Sequence, residues 1–274
     1  MSLELEIFSQ SHKCPGNGVL LLDSGVGSLA IANQINQLLP EVATLSVGDQ
    51  LNFPYGSKSE EYIRERVLSL LDFSVSQFKP AVIVIACNTV STFLLPMLRE
   101  KYSLPIVGVV PAVKPAAENS KSKIICILST EATSQRVYLD NLINDFASDC
   151  QVLKVGCKRL ASIAELKLSG GVVNLQHIRE DLDELIRSPL INKIDSIVLG
   201  CTHFSLLVDE IKSLVADSVE VYDPAQGVAR QVAQVFGQEK KSECFKSYFF
   251  TTNKNSTTKE KVCGSFGISR IFSI

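Results

Sequence analysis

The sequence predicts an α/β protein of two doubly wound parallel-sheet domains, pseudo-symmetric, that face each other across a cleft. Short runs rich in Val and Ile alternate with helical patterns along most of the chain, which is typical of buried parallel strands and their crossover helices. The alternation occurs twice, before and after a proline-containing stretch at 111–115. In each half one apolar run, at 80–86 and at 194–199, is closely followed by a cysteine. Since ligands bind at the carboxyl ends of parallel strands, we expect a cleft with two thiols.

The elements of the first half follow from local signals. The run GVLLL at 18–22 precedes a glycine-containing loop and an amphipathic stretch that Pro40 ends, which indicates strand, loop and helix. Ser59 is a candidate N-cap for the next helix. Residues 1–17 are polar and are expected to form an extension without assigned function. Strands are predicted at 18–22, 43–47, 80–86 and 106–110, and helices at 29–39, 59–78 and 90–101.

The second half repeats the alternation after Pro111 and Pro115, which are expected to form a hinge between domains. A glycine pair ends a short helix that carries Glu165, and the polar run at 253–261 is expected to be a loop and not a site. Strands are predicted at 123–128, 151–156, 194–199, 219–222 and 247–252, and helices at 134–146, 160–168, 175–187, 206–215 and 226–236. We assign residues 1–110 and 223–274 to the first domain and 111–222 to the second.

The bulk composition is that of a compact globular protein. The chain has 274 residues, of which 46% are hydrophobic and 20% charged, with a formal net charge of -2. This balance argues against disorder and against direct nucleic-acid binding. The first residues lack a signal-peptide pattern, and no apolar run approaches the roughly 20 residues that span a bilayer. These features predict a soluble cytoplasmic protein without a membrane partner.

The eight cysteines contain no CxxC pair, and without a secretory signal we expect them to be reduced. Cys87 and Cys201 stand apart, since each follows a predicted strand and precedes a predicted helix. A helix N-terminus or a nearby positive group favours the thiolate and makes a thiol reactive. Either cysteine alone is better explained as an ordinary buried residue. Two in matched contexts, each beside a hydroxyl or amide side chain, favour a reactive pair.

Two other kinds of site are compatible with these residues. Cys201 and His203 could bind zinc together with Cys87 or a carboxylate, but the spacing matches no closed four-ligand pattern, so we expect no metal. The loop at 23–27 could offer backbone N–H groups to an anion, although for an Asp at such a turn, as for Asp23, an N-cap is the default interpretation. Because the loop has neither the GxGxxG fingerprint nor a Walker lysine, we expect it to bind a small carboxylate and not a nucleotide.

Two facing thiols suit proton exchange at a carbon atom. To remove the α-proton of an amino acid on one face and return one on the other, a base and an acid are needed on opposite sides. A thiolate and a thiol can fill these roles. Asp23 beside one thiol and His203 beside the other could set their protonation, while Asn88, Thr89 and Thr202 could hold the carboxylates and the amine.

The chain resembles one family through five motifs that occur in that family's order. They are DSGVGS at 23–28, PYG at 54–56, ACNTVST at 86–92, LGCTHFSLL at 199–207 and YDPAQGVAR at 222–230. Together they resemble the glutamate racemases, which are cofactor-independent members of the aspartate/glutamate racemase superfamily. A further stretch, VGVVPAVKPA at 107–116, is similar to the enterobacterial branch of that family.

The resemblance implies roles for the candidate residues. Cys87 and Cys201 would be the two acid/base residues, Asp23 and His203 would assist them, and Glu165 would be a further carboxylate of the catalytic pocket. Substrate contacts are implied for Asp23, Ser24, Tyr55, Gly56, Asn88, Thr89, Thr130, Thr133, Thr202 and His203. The implied product is D-glutamate for peptidoglycan in a bacterial cytoplasm, formed without PLP or a metal. A cell-wall precursor as activator and a homodimer are partners that the resemblance leaves open.

Three rival functions remain at this stage. A racemase of another small acid such as aspartate differs only in the depth of its pocket. A non-catalytic dicarboxylate-binding protein, or an inhibitory partner of DNA topoisomerase, would need no thiol pair. The presence of both Cys87 and Cys201 therefore favours an enzyme.

Overall fold

In the computed structural model, which describes residues 17–236, 246–258 and 264–274, helices cover two separate parallel β-sheets. The predicted fold class is thereby confirmed, while residues 1–16 of the predicted extension lie outside the described part of the chain. The strands are β1 Val19–Asp23, β2 Thr44–Gly48, β3 Val82–Ile85, β4 Ile106–Gly108, β5 Ile124–Thr130, β6 Gln151–Cys157, β7 Ser196–Leu199, β8 Glu220–Tyr222, β9 Ser247–Thr251 and β10 Ile268–Ser273. The α-helices are α1 Ser28–Leu38, α2 Glu60–Phe78, α3 Asn88–Lys101, α4 Val113–Asn119, α5 Glu131–Ser134, α6 Val137–Phe146, α7 Leu160–Leu168, α8 Leu175–Asp181, α9 Asp183–Ile186, α10 Val208–Lys212 and α11 Pro224–Phe236.

The first sheet has six strands in the order β10-β9-β2-β1-β3-β4. Strand β1 is central and pairs in parallel with β2 and β3, for example Leu22 with Val47 and with Ile85. All five residues of β1 are buried, because helices cover both faces of the sheet. This double cover explains why residues 19–22 of the strand are all apolar and do not alternate with polar residues.

The second sheet has four strands in the order β6-β5-β7-β8, and all of its pairs are parallel. Its two faces belong to different cores. Cys126 and Leu128 of β5 pack in one core, and the alternate residues Ile125 and Ile127 pack in the other. The alternation of side chains along a strand produces this division.

Chemistry-bearing residues follow the carboxyl ends of several strands, as the parallel arrangement predicts. Asp23 ends β1, Asp49 follows β2 and Cys87 lies two residues after β3 in the first sheet. In the second sheet Thr130 ends β5 and Cys201 lies two residues after β7. The two sheets therefore each carry a cysteine at the edge where ligands are usually bound.

Several predicted elements differ from the structure. The stretch expected to be a hinge contains α4, which tolerates Pro115 because a proline N–H is not needed in the first helical turn. The helix predicted at 134–146 begins at Val137, as α6, and a separate short helix, α5, precedes it. The helix predicted at 175–187 is split into α8 and α9, and the one at 206–215 is replaced by a 3-10 helix, Thr202–Leu207, and α10. Strand β10 was not predicted, although it pairs with β9 at the edge of the first sheet.

Within the described ranges, no helix combines the length and the apolar character that crossing a membrane requires.

Helix α2 begins where its capping residue predicts. The Ser59 Oγ accepts a hydrogen bond from the Tyr62 backbone N–H at 3.3 Å, and Glu60 and Glu61 lie in the first turn. Ser59→Ala should lower the free energy of unfolding by about 1 kcal/mol, because the helix N–H loses its acceptor. Urea unfolding measures the change. The matched control is Ser76→Ala, because Ser76 is an exposed residue near the end of the same helix. An equal loss in both variants would contradict the capping role.

Candidate active site

Cys87 and Cys201 line one cavity between the two sheets. Cys87 precedes helix α3 and is 7% exposed, and Cys201 precedes the 3-10 helix and is 8% exposed. The cavity volume is about 20 Å³, which is room for roughly one water molecule. The two thiols predicted from matched strand ends thus meet in a small enclosed space.

Most of the other predicted site residues line the same cavity. They are Ser24, Tyr55, Gly56, Asn88, Thr89, Thr130, Thr133, Thr202 and His203. Asp23 and Glu165 do not line it, although both approach His203, which does. The lining residues that sequence reasoning missed are Phe53, Pro54, Ala161 and Gly200. Pro54 and Gly200 lie within two of the recognised motifs and Phe53 directly precedes one, which was the available signal, whereas Ala161 had none.

Asn88 connects the two sides of the cavity. Its Nδ2 donates a hydrogen bond to the carbonyl oxygen of Gly200, so that the start of α3 contacts the end of β7. Asn88 Oδ1 is buried and has no hydrogen-bond partner among the described residues. A buried acceptor of this kind is costly unless a ligand donates to it, so the cavity contains one group that suits an ammonium or an N–H donor.

The Cys87 thiol is held in its protonated form. Burial raises its pKa, and the nearby Asp23 carboxylate raises the pKa further. The Val90 backbone N–H and the Ser24 side chain act in the opposite direction by hydrogen bonding. A positive charge entering the cavity would favour the thiolate, since opposite charges at short range stabilise each other.

His203 is a buried imidazole between two carboxylates. Its Nε2 lies 3.0 Å from Glu165 Oε1 and 3.8 Å from Asp23 Oδ2. Burial alone would lower the pKa of His203, but the charge of Asp23 and the interactions with Cys201 and Glu165 raise it well above its usual value. The imidazolium is therefore the favoured form, and it is the positive side chain of the cavity lining, which contains no Lys or Arg among the described residues.

The two carboxylates that hold His203 differ in their own ionisation. Burial raises the pKa of Asp23 above its usual value. Burial acts in the same direction on Glu165, but hydrogen bonds from His203, the Val26 N–H and Gln50 outweigh it and lower the pKa of Glu165. Glu165 is therefore the firmly ionised partner of the imidazolium.

The glycine loop at 23–27 does not present its N–H groups to the cavity, which corrects the expectation of an anion site. Gly25 N and Gly27 N both donate to Asp23 Oδ2 at 3.0 Å. Val26 N donates to Glu165 Oε1 at 2.7 Å. The loop thus satisfies carboxylates of its own chain. The glycines are needed because a Cβ at Gly27 would lie 2.5 Å from the hydroxyl of Thr202.

A second ion pair, between buried Asp49 and half-buried Arg66, holds the loop that carries Tyr55. The Tyr55 hydroxyl donates to Asp49 Oδ2 at 2.8 Å, and Arg66 Nε approaches the same oxygen at 2.8 Å. Hydrogen bonds from Arg66 and other donors outweigh burial and lower the pKa of Asp49. In the same loop, the Phe53 ring centroid lies 5.2 Å from that of His203. Asp49 and Arg66 were not predicted, because nothing near them in the sequence indicates this contact.

The second sheet contributes a pair of hydroxyl groups to the cavity. Thr130 Oγ1 donates to Thr133 Oγ1 at 3.0 Å and accepts from the Thr133 backbone N–H at 3.4 Å. Thr130 therefore caps the short helix α5. In the described part of the chain, no group of three or more His, Cys, Asp or Glu side chains is arranged to hold a metal ion.

Comparison with known proteins agrees with the geometry. The sequence model of the Asp/Glu/hydantoin racemase family matches residues 20–232 of this chain. A glutamate racemase from Pectobacterium carotovorum subsp. carotovorum is 43% identical over 215 residues, 78% of this chain and 75% of the relative. One from Photorhabdus laumondii subsp. laumondii is 37% identical over 269 residues, 97% and 93% of the two chains. A crystal structure of the Escherichia coli glutamate racemase with L-glutamate and the activator UDP-MurNAc-Ala has a TM-score of 0.88 at 35% identity, covering 95% of this chain and 98% of that one.

The glycine at position 25 has a consequence that can be measured. An added Cβ would lie 1.9 Å from Glu165 Oε1 and 2.8 Å from His203 Nε2. Gly25→Ala should therefore lower the free energy of unfolding by about 1–3 kcal/mol, the usual cost of overpacking. The control is Gly227→Ala in helix α11, where the new Cβ meets nothing within 4 Å and should stabilise by about 0.5–1 kcal/mol. Chemical denaturation measures the free energy of unfolding of both variants. A Gly25→Ala protein as stable as the parent would contradict the close approach of Gly25 to Glu165 and His203.

Proposed function

The chain belongs to the Asp/Glu/hydantoin racemase family and is an isomerase, and from this premise we propose that it interconverts L-glutamate and D-glutamate without a cofactor. Cys87 and Cys201 would be the acid and base. The observation that carries the proposal is the pair of thiols at the carboxyl ends of strands from two different sheets, both lining one cavity. The glutamate racemases among its relatives support the choice of substrate.

In the proposed reaction one cysteine thiolate removes the α-proton and the other cysteine thiol donates a proton to the opposite face of the α-carbon. The carbon therefore changes its configuration while no atom is gained or lost overall. Each thiol would have the opposite protonation state at the end of the turnover. General acid–base catalysis of this kind typically contributes about 10²–10⁴ in rate, and positioning and charge stabilisation would supply the remainder.

The charges around the cavity support an amino-acid substrate. The ammonium group of the substrate would bring a positive charge close to Cys87, whose thiolate is otherwise disfavoured by burial and by Asp23. His203 beside Cys201 would supply a proton or a positive charge on the opposite side. The carboxylates would be held by hydroxyl, amide and backbone N–H groups, since the lining has no Lys or Arg among the described residues. Asn88, Thr89 and Thr202 are our candidates for this binding.

We also propose that residues 1–110 with 223–274 form one domain and 111–222 the other, and that the cleft between them opens to admit substrate. The strands of the two sheets divide along these ranges. A cavity of about 20 Å³ has room for roughly one water molecule, which is far less than an amino acid occupies. Binding would therefore require separation of the two sets of strand ends.

The biological role that we propose is the supply of D-glutamate for peptidoglycan in a bacterial cytoplasm. Aspartate is the main alternative substrate, because it differs from glutamate by one methylene group, a difference worth only about 1–3 kcal/mol in an apolar pocket. An aspartate racemase homologue from Pyrococcus horikoshii shares the fold at 17% identity and a TM-score of 0.51. That level of likeness concerns architecture alone, whereas the relatives above 35% identity are glutamate racemases.

The proposal is tested by incubating the protein with L-glutamate, and separately with L-aspartate, in D₂O without added cofactor. Loss of the α-proton signal and of optical rotation is expected with glutamate. Cys87→Ala and Cys201→Ala should each reduce racemisation by at least about 10²-fold, because each removes one acid/base group. The control is Cys126→Ala, a buried cysteine in the core of the second sheet and outside the cavity.

Three results would count against the proposal. Absence of exchange with glutamate would exclude this substrate, and faster exchange with aspartate would transfer the reaction to the shorter acid. Full activity in Cys87→Ala or Cys201→Ala would show that the missing thiol has only a structural role. Folding of each variant is checked by circular dichroism, so that loss of activity is not confused with loss of structure.

We propose further that a cell-wall precursor activates the enzyme, as UDP-MurNAc-Ala is the activator in the Escherichia coli structure. A larger cavity of about 1010 Å³, separate from the thiols, is lined by residues from both sides of the molecule, among them Arg99, Tyr222 and Arg230. Guanidinium groups bind phosphate oxygens well, often through two parallel hydrogen bonds. The size and charge of this cavity suit a nucleotide-linked sugar.

The activator proposal predicts that UDP-MurNAc-Ala increases the rate of racemisation. Arg230→Gln should reduce the ratio of the rates with and without activator, because a phosphate contact is lost. Racemisation at increasing activator concentration measures this ratio. Arg179→Gln, an exposed position on helix α8, is the control and should keep the ratio of the parent protein. No response of the parent protein to the activator would exclude this form of regulation.

A further inference from the structure

Gln50 lies behind the thiol cavity without lining it, at the point where β2 gives way to a short 3-10 helix, Gln50–Asn52. Its side chain reaches across to helix α7 of the second sheet. Gln50 Nε2 donates to Glu165 Oε2 at 2.7 Å and to Thr258 Oγ1 at 3.0 Å. The residue therefore links a loop of the first sheet to the carboxylate that holds His203.

The C-terminal segment fixes the orientation of this amide. The hydroxyls of Thr251 and Ser256 both donate to Gln50 Oε1, each at 2.7 Å. A carboxylate can only accept hydrogen bonds, so the NH₂ group of Gln50 must face Glu165 and the oxygen must face the hydroxyls. Both donors and both lone pairs of the amide are thereby used, which leaves Gln50 a single favourable arrangement.

Glu165 depends on three donors from three parts of the chain. Its Oε1 accepts from the Val26 N–H at 2.7 Å and lies 3.0 Å from His203 Nε2. Its Oε2 accepts from Gln50. Because Gln50 is the donor to Oε2 among the described residues, removing it would free the carboxylate to rotate about its terminal torsion, which is soft in glutamate. The contact with His203 would then no longer be held in place.

We propose that Gln50 is a positioning residue for proton transfer. The C-terminal segment anchors Gln50, and Gln50 holds Glu165 against His203. The imidazole thereby stays directed toward Cys201. The inference rests on the proposed function, in which Cys201 is one of the two acid/base groups. Gln50 touches neither thiol. It acts through Glu165. The segment 251–258, which the sequence indicates only as the end of a strand and a loop, becomes a support of the active site.

In the described part of the chain, few titratable groups face Gln50, Glu165 and His203. Asp23, Glu165 and Cys201 face His203, and Glu165 faces Gln50. Asp49, the neighbour of Gln50 in the chain, is paired with Arg66 at 2.8 Å. A substitution at Gln50 therefore changes the contact between Glu165 and His203 directly, and other charged groups only indirectly.

Two variants separate positioning from a structural role. Gln50→Leu removes every hydrogen bond while keeping a similar volume. We expect kcat to fall roughly 10- to 100-fold, the usual loss when a residue that orients a functional group is removed, while KM changes little. Gln37→Leu and Gln37→Glu are matched controls on the exposed face of α1 and should leave kcat unchanged.

Gln50→Glu gives a pH-dependent result that a structural role would not produce. A glutamic acid at this position can donate to Glu165 only while it is protonated, and the adjacent carboxylate raises its pKa. At low pH the variant should therefore approach the parent rate. As the pH rises the new carboxylate ionises and repels Glu165, so the ratio of variant to parent kcat should fall. For Gln50→Leu, which adds no ionisable group, this ratio should change only in the pH range in which its His203 loses its proton.

Histidine NMR provides a readout that does not depend on activity. The chain has three histidines, so the ring signals of isotope-labelled His203 can be assigned by comparison with His203→Gln, and exposed His177 is an internal reference. In the parent protein His203 should remain protonated well above the usual pH range of histidine. In Gln50→Leu it should titrate at lower pH, while His177 is unchanged.

The outcomes are distinguishable. Parent-like kcat and a parent-like His203 titration in Gln50→Leu would overturn the inference, as would a pH-independent ratio in Gln50→Glu. If Gln50→Leu fails to fold, the pH profile and NMR titration of Gln50→Glu decide in its place. If the parent protein racemises neither glutamate nor aspartate, the proposed function fails, and the His203 titration alone still decides whether Gln50 positions Glu165.

Discussion

The buried contact between His203 and two carboxylates constrains the rest of the site. An imidazolium removed from water is costly unless negative charges and hydrogen bonds compensate it. Glu165 from the second sheet and Asp23 from the first provide the charges at 3.0 and 3.8 Å. Both approaches require a loop without side chains at positions 25 and 27, because a Cβ at either glycine would overlap the imidazole or its partners. The DSGVGS motif is thus shaped by His203, which lies 175 residues beyond the end of the motif in the chain.

This arrangement also determines the character of the cavity. The lining holds one buried cation, two thiols and a set of neutral hydroxyl and amide groups. Such a site favours a small zwitterion with extra negative charge, since the ligand can bring its own ammonium to the side of Cys87. A fixed lysine at that position would instead compete with the ammonium. The absence of Lys and Arg from the described lining is therefore consistent with an amino-acid substrate.

How much the sequence predicts depends on the range of the interaction. Strand ends are local features, so β3 and β7 could be recognised from apolar runs, and Cys87 and Cys201 followed from them. The glycine loop was located correctly but assigned the wrong partner, because its N–H groups bind carboxylates of this chain. The contact between Gln50 and Glu165 joins residues 115 positions apart, and no local pattern encodes it. Strand β10 escaped prediction because it is an edge strand beyond a polar run.

The contacts that define the charged cluster cross between elements of the two sheets. Val26 and Gln50 belong to loops of the first sheet, whereas Glu165 and His203 belong to elements packed on the second. Any motion that separates the two sets of strand ends must therefore break hydrogen bonds to Glu165 and move His203 away from Asp23. Both changes weaken the interactions that raise the pKa of His203. In the opening that we propose, the protonation of the imidazole and the closure of the cavity would therefore be linked: closure would favour the charged imidazole, and by thermodynamic reciprocity the charged imidazole would favour closure.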